Sequence, residues 1–442
     1  MVLKKTQSLC PVCLERIDAE IVEEEEGVYL TKTCINHGNF KTALWKGSGD
    51  SFLIWDRDSE NGGGPGGDLS KIRKGCPYDC GPCLVHTGGI CVALVEVTHR
   101  CNMKCPICFA SSPKDPASEP DIETIKHRYK IILKTGATPP LQLSGGEPTL
   151  RDDLPEIVAA AKDLGFEMIQ INTNGLRLAE DRGYLSKLKE NGVKVLYLQF
   201  DGVTDDVYRA IRGVPLADTK IKVIENCSNV GLGVVLVPTI VPGINDRQIG
   251  RIVQFAKQWM PVVRGVHFQP ISYFGRYPQA PTDTERITLP EVLNALEKQT
   301  DGEVRVSDFK PRRSKDAHCA FAGFFVLGDD GALVSAFSPE VRVTAKSAPA
   351  VAVRNFLETY WSPVPKRCSC QPCLCEMDSV PDELLNWVQG HSLTISGMPF
   401  QDVWNIDLER LAGCCIHVVT DERLVPFCAY YLTSISGKRL YN

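Results

Sequence analysis

The chain has 442 residues, which is enough for about three domains with sizeable cores. Its 49 basic and 54 acidic residues give a net charge of −5, so nucleic acid is a poor candidate partner. The first residues lead into a cysteine pair without an apolar signal core, and the longest apolar stretch, 233–241, is far shorter than the ~20 residues that span a bilayer. We therefore expect a cytoplasmic protein without a transmembrane segment. In such a protein the 19 cysteines are better read as metal ligands than as disulfides.

The first part of the chain carries a candidate metal site. Cys10 and Cys13 form a CxxC pair, and Cys34 and His37 form a CxxH pair after a short β-rich stretch. Three thiolates and one imidazole suit a single tetrahedral ion, and both zinc and iron fit. Residues 1–60 are predicted to form a small rubredoxin-like or zinc-ribbon-like domain.

The next segment, 61–90, begins as a glycine-rich linker and ends in cysteines. Four thiols close to the first strand of the next domain are enough to close an auxiliary [4Fe–4S] cluster, and a structural zinc is the alternative. These predicted ligands are Cys76, Cys80, Cys83 and Cys91.

Residues 91–305 alternate apolar strands with helices. Continuous apolar runs predict six buried parallel strands, at 91–97, 141–144, 166–172, 193–200, 233–241 and 265–271. Apolar residues at helical spacing predict helices between them, with Asp121 and Asp246 as N-cap residues. Six βα units predict an α/β fold, a partial (β/α)6 barrel with its active site at the C-terminal ends of the strands.

The loop after the first predicted strand contains three cysteines spaced C-x3-C-x2-C, namely Cys101, Cys105 and Cys108. Iron–sulfur clusters are normally closed by four thiolates, so three thiolates leave one iron free to bind another molecule. Zinc with a distant fourth ligand is the alternative. The spacing resembles the signature of the radical S-adenosylmethionine (SAM) enzymes. This resemblance implies a [4Fe–4S] cluster that binds SAM and cleaves it to a 5'-deoxyadenosyl radical.

Glycine-rich and polar segments follow the next three predicted strands. Each alone is an ordinary βα turn, but their order behind the cysteine loop resembles the radical SAM core. The resemblance implies that one segment holds the methionine amine of SAM: Gly145, Gly146, Glu147 and Pro148. It places four further cofactor-binding residues near the nucleoside: Asn172, Asn174, Gln199 and Asp201. No side chain is assigned a catalytic role.

Four segments spread over the chain resemble the archaeal tetraether lipid synthase family and its bacterial relatives: 75–83, 94–101, 400–402 and 425–430. The resemblance covers nearly the whole chain. It implies a C-terminal auxiliary iron–sulfur domain over 306–442, whose cluster would be held by Cys319, Cys414 and Cys428 with the fourth ligand open. The crowded cysteines at 368–375 and the glycine linker depart from the family pattern, and we assign no role to Cys368, Cys370, Cys373 and Cys375.

Three functions are compatible with these patterns. The first is a radical SAM enzyme that abstracts hydrogen from an unactivated carbon of a lipid alkyl chain and forms a C–C bond. The second is radical methylation or oxidation of a pterin, peptide or other small substrate, because superfamily membership fixes the initiator and not the product. The third, a non-catalytic electron-transfer protein, is disfavoured by the open cluster iron. An enzyme would need a reductant such as ferredoxin or flavodoxin, and a lipid substrate would bring it into peripheral membrane contact.

A lipid substrate further predicts an elongated apolar tunnel that starts near the cysteine loop. The segment 398–404 should contribute to its walls. The alternative is that Phe400 and Trp404, four residues apart, form one face of a core helix. A short polar pocket would instead favour the small-substrate function.

Overall fold

The structure is a computed structural model that describes residues 1–57, 74–80, 86, 89–112, 119–311, 316–328, 330–336 and 390–441. Several residues singled out in the sequence lie outside these ranges. They are Cys83, the linker glycines and the group Cys368, Cys370, Cys373 and Cys375.

The N-terminal domain is an antiparallel sheet in the order β1-β2-β3-β4, followed by one helix. Its elements are β1 Val2–Leu9, β2 Arg16–Glu24, β3 Gly27–Cys34, β4 Gly38–Trp45 and α1 Gly49–Arg57. Because the strands alternate in direction, the β1–β2 and β3–β4 turns lie at the same end of the sheet. This arrangement brings the CxxC and CxxH pairs together.

The central domain is built from βα units, as its apolar runs predict. Its strands are β5 Val92–Thr98, β6 Leu141–Gly145, β7 Ile169–Thr173, β8 Val193–Gln199, β9 Gly233–Val237, β10 Thr239–Ile240 and β11 Val263–Pro270. Its helices are α2 Ile122–Leu133, α3 Leu154–Asp163, α4 Leu176–Glu180, α5 Arg182–Asn191, α6 Asp205–Arg212, α7 Ala217–Val230, α8 Ile249–Gln258 and α9 Leu289–Gln299.

The predicted partial barrel is confirmed, and the C-terminal part of the chain extends it. Strands β5, β6, β7, β8, β9 and β11 are parallel neighbours in that order. The C-terminal elements are β12 Lys310–Pro311, β13 Phe321–Leu327, β14 Leu333–Ser335, β15 Ser392–Gly397, α10 Leu408–Ala412, β16 Ile416–Val419, β17 Leu424–Pro426 and α11 Phe427–Tyr430. Strand β15 adds in parallel to β11, and β16 adds in parallel to β5. The C-terminal segments therefore complete both edges of the barrel sheet.

Two local predictions differ from the structure. The fifth predicted strand is interrupted at Pro238, which has no N–H to donate to a neighbouring strand, so β9 ends at Val237. Asp121 caps α2 through Thr124 N as predicted, but Asp246 does not cap α8. Its carboxylate accepts from Gly243 N instead, and α8 begins only at Ile249.

A buried carboxylate fastens the end of the chain to the barrel. Glu96 on β5 accepts hydrogen bonds from the hydroxyls of Tyr430 and Tyr431 at 2.8 and 2.7 Å. The ring of Phe109, the residue after Cys108, packs against Tyr431 at 4.9 Å. The C-terminal helix thereby lies against the cysteine loop.

Candidate active site

The three cysteines of the cysteine loop share one environment at the end of β5. Cys101, Cys105 and Cys108 pack around Met103 and Tyr208. Burial is the main cause that raises the pKa of the Cys101 thiol to about 11, and the charges of Glu147, Cys105 and Cys108 contribute to this value. The shared packing places the three thiols around one region, as ligands of one cluster must be.

The far end of the cysteine loop is fixed by the segment after β11. Cys108 and Arg276 exchange two backbone hydrogen bonds of 2.9 and 3.0 Å. The side chain of Arg276 also donates to Cys105 O at 2.9 Å. These contacts hold the loop across the mouth of the barrel.

Gly145 and Gly146 allow the second strand end to lie directly against the cysteine loop. Gly145 has φ +124°, and a Cβ there would lie 2.1 Å from Thr98 O. A Cβ on Gly146 would lie 2.1 Å from Arg100 O. No other residue fits this close backbone approach.

Glu147 is buried, and its carboxylate organises the neighbouring strand ends. One oxygen accepts from Thr149 N, Thr149 Oγ1 and Thr173 Oγ1 at 3.1, 2.6 and 2.7 Å. The other accepts from Asn174 N at 2.7 Å. The amide of Asn174 in turn donates to Asn102 Oδ1 in the cysteine loop at 2.8 Å. These bonds use most of the carboxylate's acceptor capacity, so Glu147 sets the shape of this region.

Asn172 on β7 shows whether a polar cofactor would fit here, because its side chain has a buried polar atom that needs a partner. Its Nδ2 is 3.4 Å from Ser144 Oγ, and its Oδ1 is buried without a hydrogen-bond partner in the described part of the chain. A buried unpaired acceptor costs roughly 1–3 kcal/mol, which a ligand with a donor group would offset. The three thiols and this acceptor fit a [4Fe–4S] cluster with bound SAM.

Asp201 and Gln199 at the end of β8 both contact one arginine. The Asp201 carboxylate forms a two-pronged ion pair with Arg212 at 2.6 and 2.7 Å. When the Gln199 amide is oriented with its oxygen towards Arg212, this oxygen accepts hydrogen bonds from the guanidinium at 3.2 Å. Arg212 was not predicted as a site residue. The sequence pattern that could have indicated it is the helical spacing of Tyr208 and Arg212. These residues are four positions apart, so they share the face of α6 that meets the cysteine loop.

The first predicted auxiliary set is only partly brought together among its described members, Cys76, Cys80 and Cys91. Cys76 and Cys80 lie close, with 3.9 Å between their sulfur atoms, but Cys91 forms a disulfide with Cys415. The physical reason is strand pairing. Cys91 and Cys415 directly precede the parallel neighbours β5 and β16, which places their Cα atoms 5.1 Å apart. Cys91 also lies at the opposite end of β5 from the cysteine loop, whereas Cys80 packs in the same apolar cluster as Ile107 of that loop.

The second predicted auxiliary set is brought together. Cys319 Sγ accepts from Arg410 Nε at 3.1 Å, and Cys428 Sγ accepts from Gln401 N at 3.3 Å. Burial is the main cause that raises the pKa of each of the thiols Cys319, Cys414 and Cys428 to about 12, and a neighbouring thiol contributes to each value. The cationic Arg410 opposes this shift in all three. A guanidinium beside three buried sulfurs can stabilise their thiolates.

The N-terminal ligand set is assembled as predicted. The ligand atoms of Cys10, Cys13, Cys34 and His37 all lie within 4.8 Å of one another. His37 Nδ1 lies 3.5 Å from Cys10 Sγ and 3.3 Å from Cys34 Sγ. The hydrogen bond with His37 is the largest cause that lowers the pKa of Cys34 to about 6. This donor set fits one tetrahedral metal ion.

A cavity of about 190 Å³ lies between the N-terminal sheet, the end of β11 and the C-terminal segments. Its walls combine aromatic rings, Trp45, Phe52 and Phe400, with charged groups that include Asp316 and Arg410. None of the residues in its walls belongs to the cysteine loop, so it is not the apolar tunnel expected to start there. Phe400 and Trp404 are not on a helix, since residues 398–402 are extended or irregular and 403–404 form a turn.

No helix in the described ranges has the length and apolar character that a membrane crossing requires.

Comparisons with known proteins agree with this geometry. Residues 95–256 match the radical SAM superfamily model, and residues 2–46 match the "HMPTM N-terminal zinc ribbon domain". The chain is 38% identical to the 7,8-dihydro-6-hydroxymethylpterin dimethyltransferase of Methanocaldococcus jannaschii, over 97% of this chain and 93% of the relative. It is 36% identical to the Fe-coproporphyrin III synthase of Methanosarcina barkeri over 34% of this chain and 37% of the relative. The solved structure of Streptococcus suis SuiB is 17% identical with a TM-score of 0.40, covering 49% of this chain and 47% of that one.

These matches correct one expectation. The relative that spans nearly the whole chain is named as a pterin dimethyltransferase, and the expected tetraether lipid synthase relationship is not supported. Membership of the radical SAM superfamily confirms the expected [4Fe–4S] and SAM chemistry, and the N-terminal zinc ribbon match and donor set fit the expected metal ion. The chain is a radical SAM iron–sulfur enzyme and belongs to the same family as the M. jannaschii relative.

Proposed function

We propose that this enzyme uses a SAM-derived radical to abstract hydrogen from a pterin or a closely related small heterocycle, which is then methylated. The SAM that yields the radical leaves as methionine with its methyl group, so a second SAM molecule would supply the methyl group and leave as S-adenosylhomocysteine, with a second electron from the reductant. The observation that carries the proposal is the length of the similarity to the M. jannaschii relative, which covers 97% of this chain. The similarity therefore includes the segments that wall the cavity as well as those that surround the cluster. Relatives that match only 34% and 41% of the chain carry other names.

Cys101, Cys105 and Cys108 are proposed to hold the SAM-binding cluster. When bound and reduced, this cluster supplies the electron that cleaves SAM to methionine and a 5'-deoxyadenosyl radical. The backbone of Gly145–Pro148 would hold the methionine amine, and Glu147 would keep that backbone in place through its four hydrogen bonds. Asn172 Oδ1 would accept a hydrogen bond from the nucleoside. Asn174 would tie the third strand end to the cysteine loop.

Asp201 and Gln199 are proposed to act indirectly. Both Asp201 oxygens are occupied by Arg212, so this carboxylate supports the cofactor site without direct contact with the nucleoside.

The remaining metal groups are proposed from their donor sets. Cys10, Cys13, Cys34 and His37 would hold zinc or iron. Cys319, Cys414 and Cys428 would hold an auxiliary [4Fe–4S] cluster. Cys76 and Cys80 would contribute to another, with further ligands outside the described residues.

The cavity is proposed to bind the substrate. Its volume of about 190 Å³ is below the roughly 300–1,000 Å³ of sites for drug-sized ligands, which favours a small molecule. Trp45, Phe52 and Phe400 can pack against a flat ring, because aromatic faces stack favourably. Asp316 and Arg410 can exchange hydrogen bonds with the amino and carbonyl groups of a pterin ring. Flavodoxin or ferredoxin would supply electrons.

A lipid alkyl chain remains the second candidate substrate, on one specific observation. Phe109, Phe274, Phe400, Phe427 and Tyr431 form a continuous aromatic cluster beside the cysteine loop. Phe274, Phe427 and Tyr431 are buried, whereas Phe109 and Phe400 are only partly buried. The exposed parts of these two rings could pack against methylene groups, each of which gains ~0.8 kcal/mol on burial.

One experiment separates the two substrates. The chain is reconstituted with iron and sulfide under anaerobic conditions and given SAM and a strong reductant. One arm contains 7,8-dihydro-6-hydroxymethylpterin, and the other contains detergent-dispersed dialkyl glycerol lipid. Mass spectrometry follows 5'-deoxyadenosine and products. We expect substrate-dependent 5'-deoxyadenosine and a methylated pterin in the first arm. Turnover in the lipid arm alone would replace the pterin proposal with the lipid one.

A separate experiment tests the proposed ligands of the SAM-binding cluster. Alanine at Cys101, Cys105 or Cys108 should abolish 5'-deoxyadenosine in both arms. Cys227→Ala is the control, because this thiol is buried in α7, away from the cysteine loop. SAM cleavage that survived any of the three loop substitutions would remove the cluster assignment.

A further inference from the structure

A buried ion pair lies directly beneath the cysteine loop. Arg212 is 7% exposed and Asp201 is fully buried. Nε and Nη2 of Arg212 bind the two carboxylate oxygens at 2.6 and 2.7 Å, and Thr239 N donates to the same carboxylate at 3.1 Å. A guanidinium held at two points on a buried carboxylate has a fixed position and orientation.

The remaining nitrogen of this guanidinium faces the cysteine loop. Nη1 of Arg212 donates to Ile107 O at 3.2 Å. Ile107 lies between Cys105 and Cys108, so this bond holds the backbone that carries two of the three proposed ligands. Tyr208, one turn earlier on α6, packs against the same part of the loop. The end of α6 therefore supports the loop through both a hydrogen bond and an apolar contact.

The positive charge of Arg212 also acts on the sulfurs. Its Nη1 lies 3.2 Å from the carbonyl oxygen of Ile107, in the short backbone segment between Cys105 and Cys108. The cation is therefore held close to the part of the loop that carries these two sulfurs. Nearby charge and hydrogen bonds to sulfur set the reduction potential of an iron–sulfur cluster. A fixed cation beside the sulfurs favours the reduced form, which carries one more negative charge.

We propose that Arg212 is a positioning residue that orients the cysteine loop and raises the reduction potential of the SAM-binding cluster. In this role, it makes the one-electron transfer from a flavodoxin-type or ferredoxin-type reductant to the cluster more favourable. The inference rests on the proposed assignment of Cys101, Cys105 and Cys108 as the ligands. It adds a residue, and a property of the cluster, that the comparisons do not assign.

The test is a redox titration of the reconstituted full-length chain followed by electron paramagnetic resonance. The SAM-binding cluster is recognised as the signal that changes when SAM is added. In Arg212→Gln, we expect its midpoint potential to become more negative. At a fixed weak reductant the reduced fraction should fall about tenfold, equivalent to ~59 mV for one electron. Arg212→Lys, which keeps the charge, should lie closer to the wild type.

A matched control and an opposite variant complete the design. Arg209→Gln removes the same charge from an exposed position on the same helix and should leave the potential unchanged. Asp201→Asn leaves the Arg212 cation without its counter-charge and should shift the potential in the positive direction.

The outcomes separate the inference from the proposed function. A SAM-sensitive signal that is missing in the wild type would refute the ligand assignment itself. A signal with the same potential in Arg212→Gln and the wild type would overturn the role of Arg212 alone. If Arg212→Gln loses its cluster, the potential of Asp201→Asn is used instead. A potential of the SAM-binding cluster in Asp201→Asn at or below the wild-type value would overturn the proposal. Loss of the cluster in both variants would show structural support only, and would also overturn it.

Discussion

The buried pair of Arg286 and Asp402 allows a sharp test of how the domains are held together. Asp402 belongs to the motif 400–402 and is fully buried, while Arg286 is 5% exposed. Both guanidinium Nη atoms bind the carboxylate at 2.9 Å. Tyr273 N and Trp404 N also donate to Asp402, at 2.9 and 3.1 Å. The pair therefore joins the loop after β11 to the segment that carries Phe400 into the cavity wall.

The expected cost of breaking the pair follows from what each partner loses. Arg286→Gln leaves a buried carboxylate without its counter-charge, which typically costs ~3–5 kcal/mol. The two backbone N–H donors remain, which favours the lower end of that range. The guanidinium also lies 5.1 Å from the Tyr273 ring and 5.8 Å from the Trp404 ring, contacts worth ~0.5–1 kcal/mol each at exposed sites and more when desolvated. We expect a total loss of ~4 kcal/mol.

Urea denaturation followed by tryptophan fluorescence measures this loss. Arg423→Gln is the control, since Arg423 forms an exposed ion pair with Glu422 at 3.1 Å, and such pairs contribute ~0–1 kcal/mol. The double variant Arg286→Gln with Asp402→Asn removes both charges and should lose less than the sum of the single changes. An Arg286→Gln cost no larger than that of Arg423→Gln would refute the reasoning.

Three further predictions concern metals and pH. Replacing Cys101, Cys105 and Cys108 together should remove about a third of the cluster iron if two auxiliary clusters are present, whereas loss of nearly all iron would show a single cluster. Cys34→Ser should release the N-terminal metal ion, measured by elemental analysis, while Cys227→Ala should retain it. Burial and His86 lower the pKa of His417 to about 3, so the folded chain binds fewer protons than the unfolded chain from pH 6.5 down to about 3. The free energy of unfolding should therefore decrease as the pH is lowered through this window, by ~2 kcal/mol between pH 7 and pH 5. His417→Leu should remove this loss in urea denaturation at pH 7 and pH 5, whereas the exposed control His127→Gln should keep it.

The strand ends of the barrel could be predicted because their signals are local. An apolar run followed by glycine and polar residues is contained within about ten positions, and parallel strands necessarily present these ends at one edge. Helix capping was less predictable. Asp121 and Asp246 have similar sequence contexts, yet the carboxylate of Asp246 is diverted to Gly243 by the shape of the preceding turn.

The partner of Cys91 could not be predicted, because no local sequence signal identifies it. Cys415 lies 324 residues away and becomes its neighbour only because the short strand β16 adds to β5. The four residues of β16 carry no periodic signal that separates them from a buried turn. The sequence therefore showed a fourth thiol near Cys76, Cys80 and Cys83, while pairing of distant strands decided where that thiol lies.

The difference between local signals and contacts of distant segments also explains why the SAM-binding site is easier to recognise from the sequence than the substrate. The cysteine loop and the strand ends behind it belong to one continuous stretch, and the apposition of Gly146 to Arg100 is a contact between neighbouring strands. The cavity is different. Thr6 in the N-terminal sheet donates to Asp407 at 2.6 Å across 401 residues, and buried Lys32 donates to Val403 O at 2.8 Å. The walls of the proposed substrate cavity, assembled from both ends of the chain, can change while the barrel stays the same. The relatives that match only part of the chain carry other names, as expected if the barrel and the cavity walls vary separately.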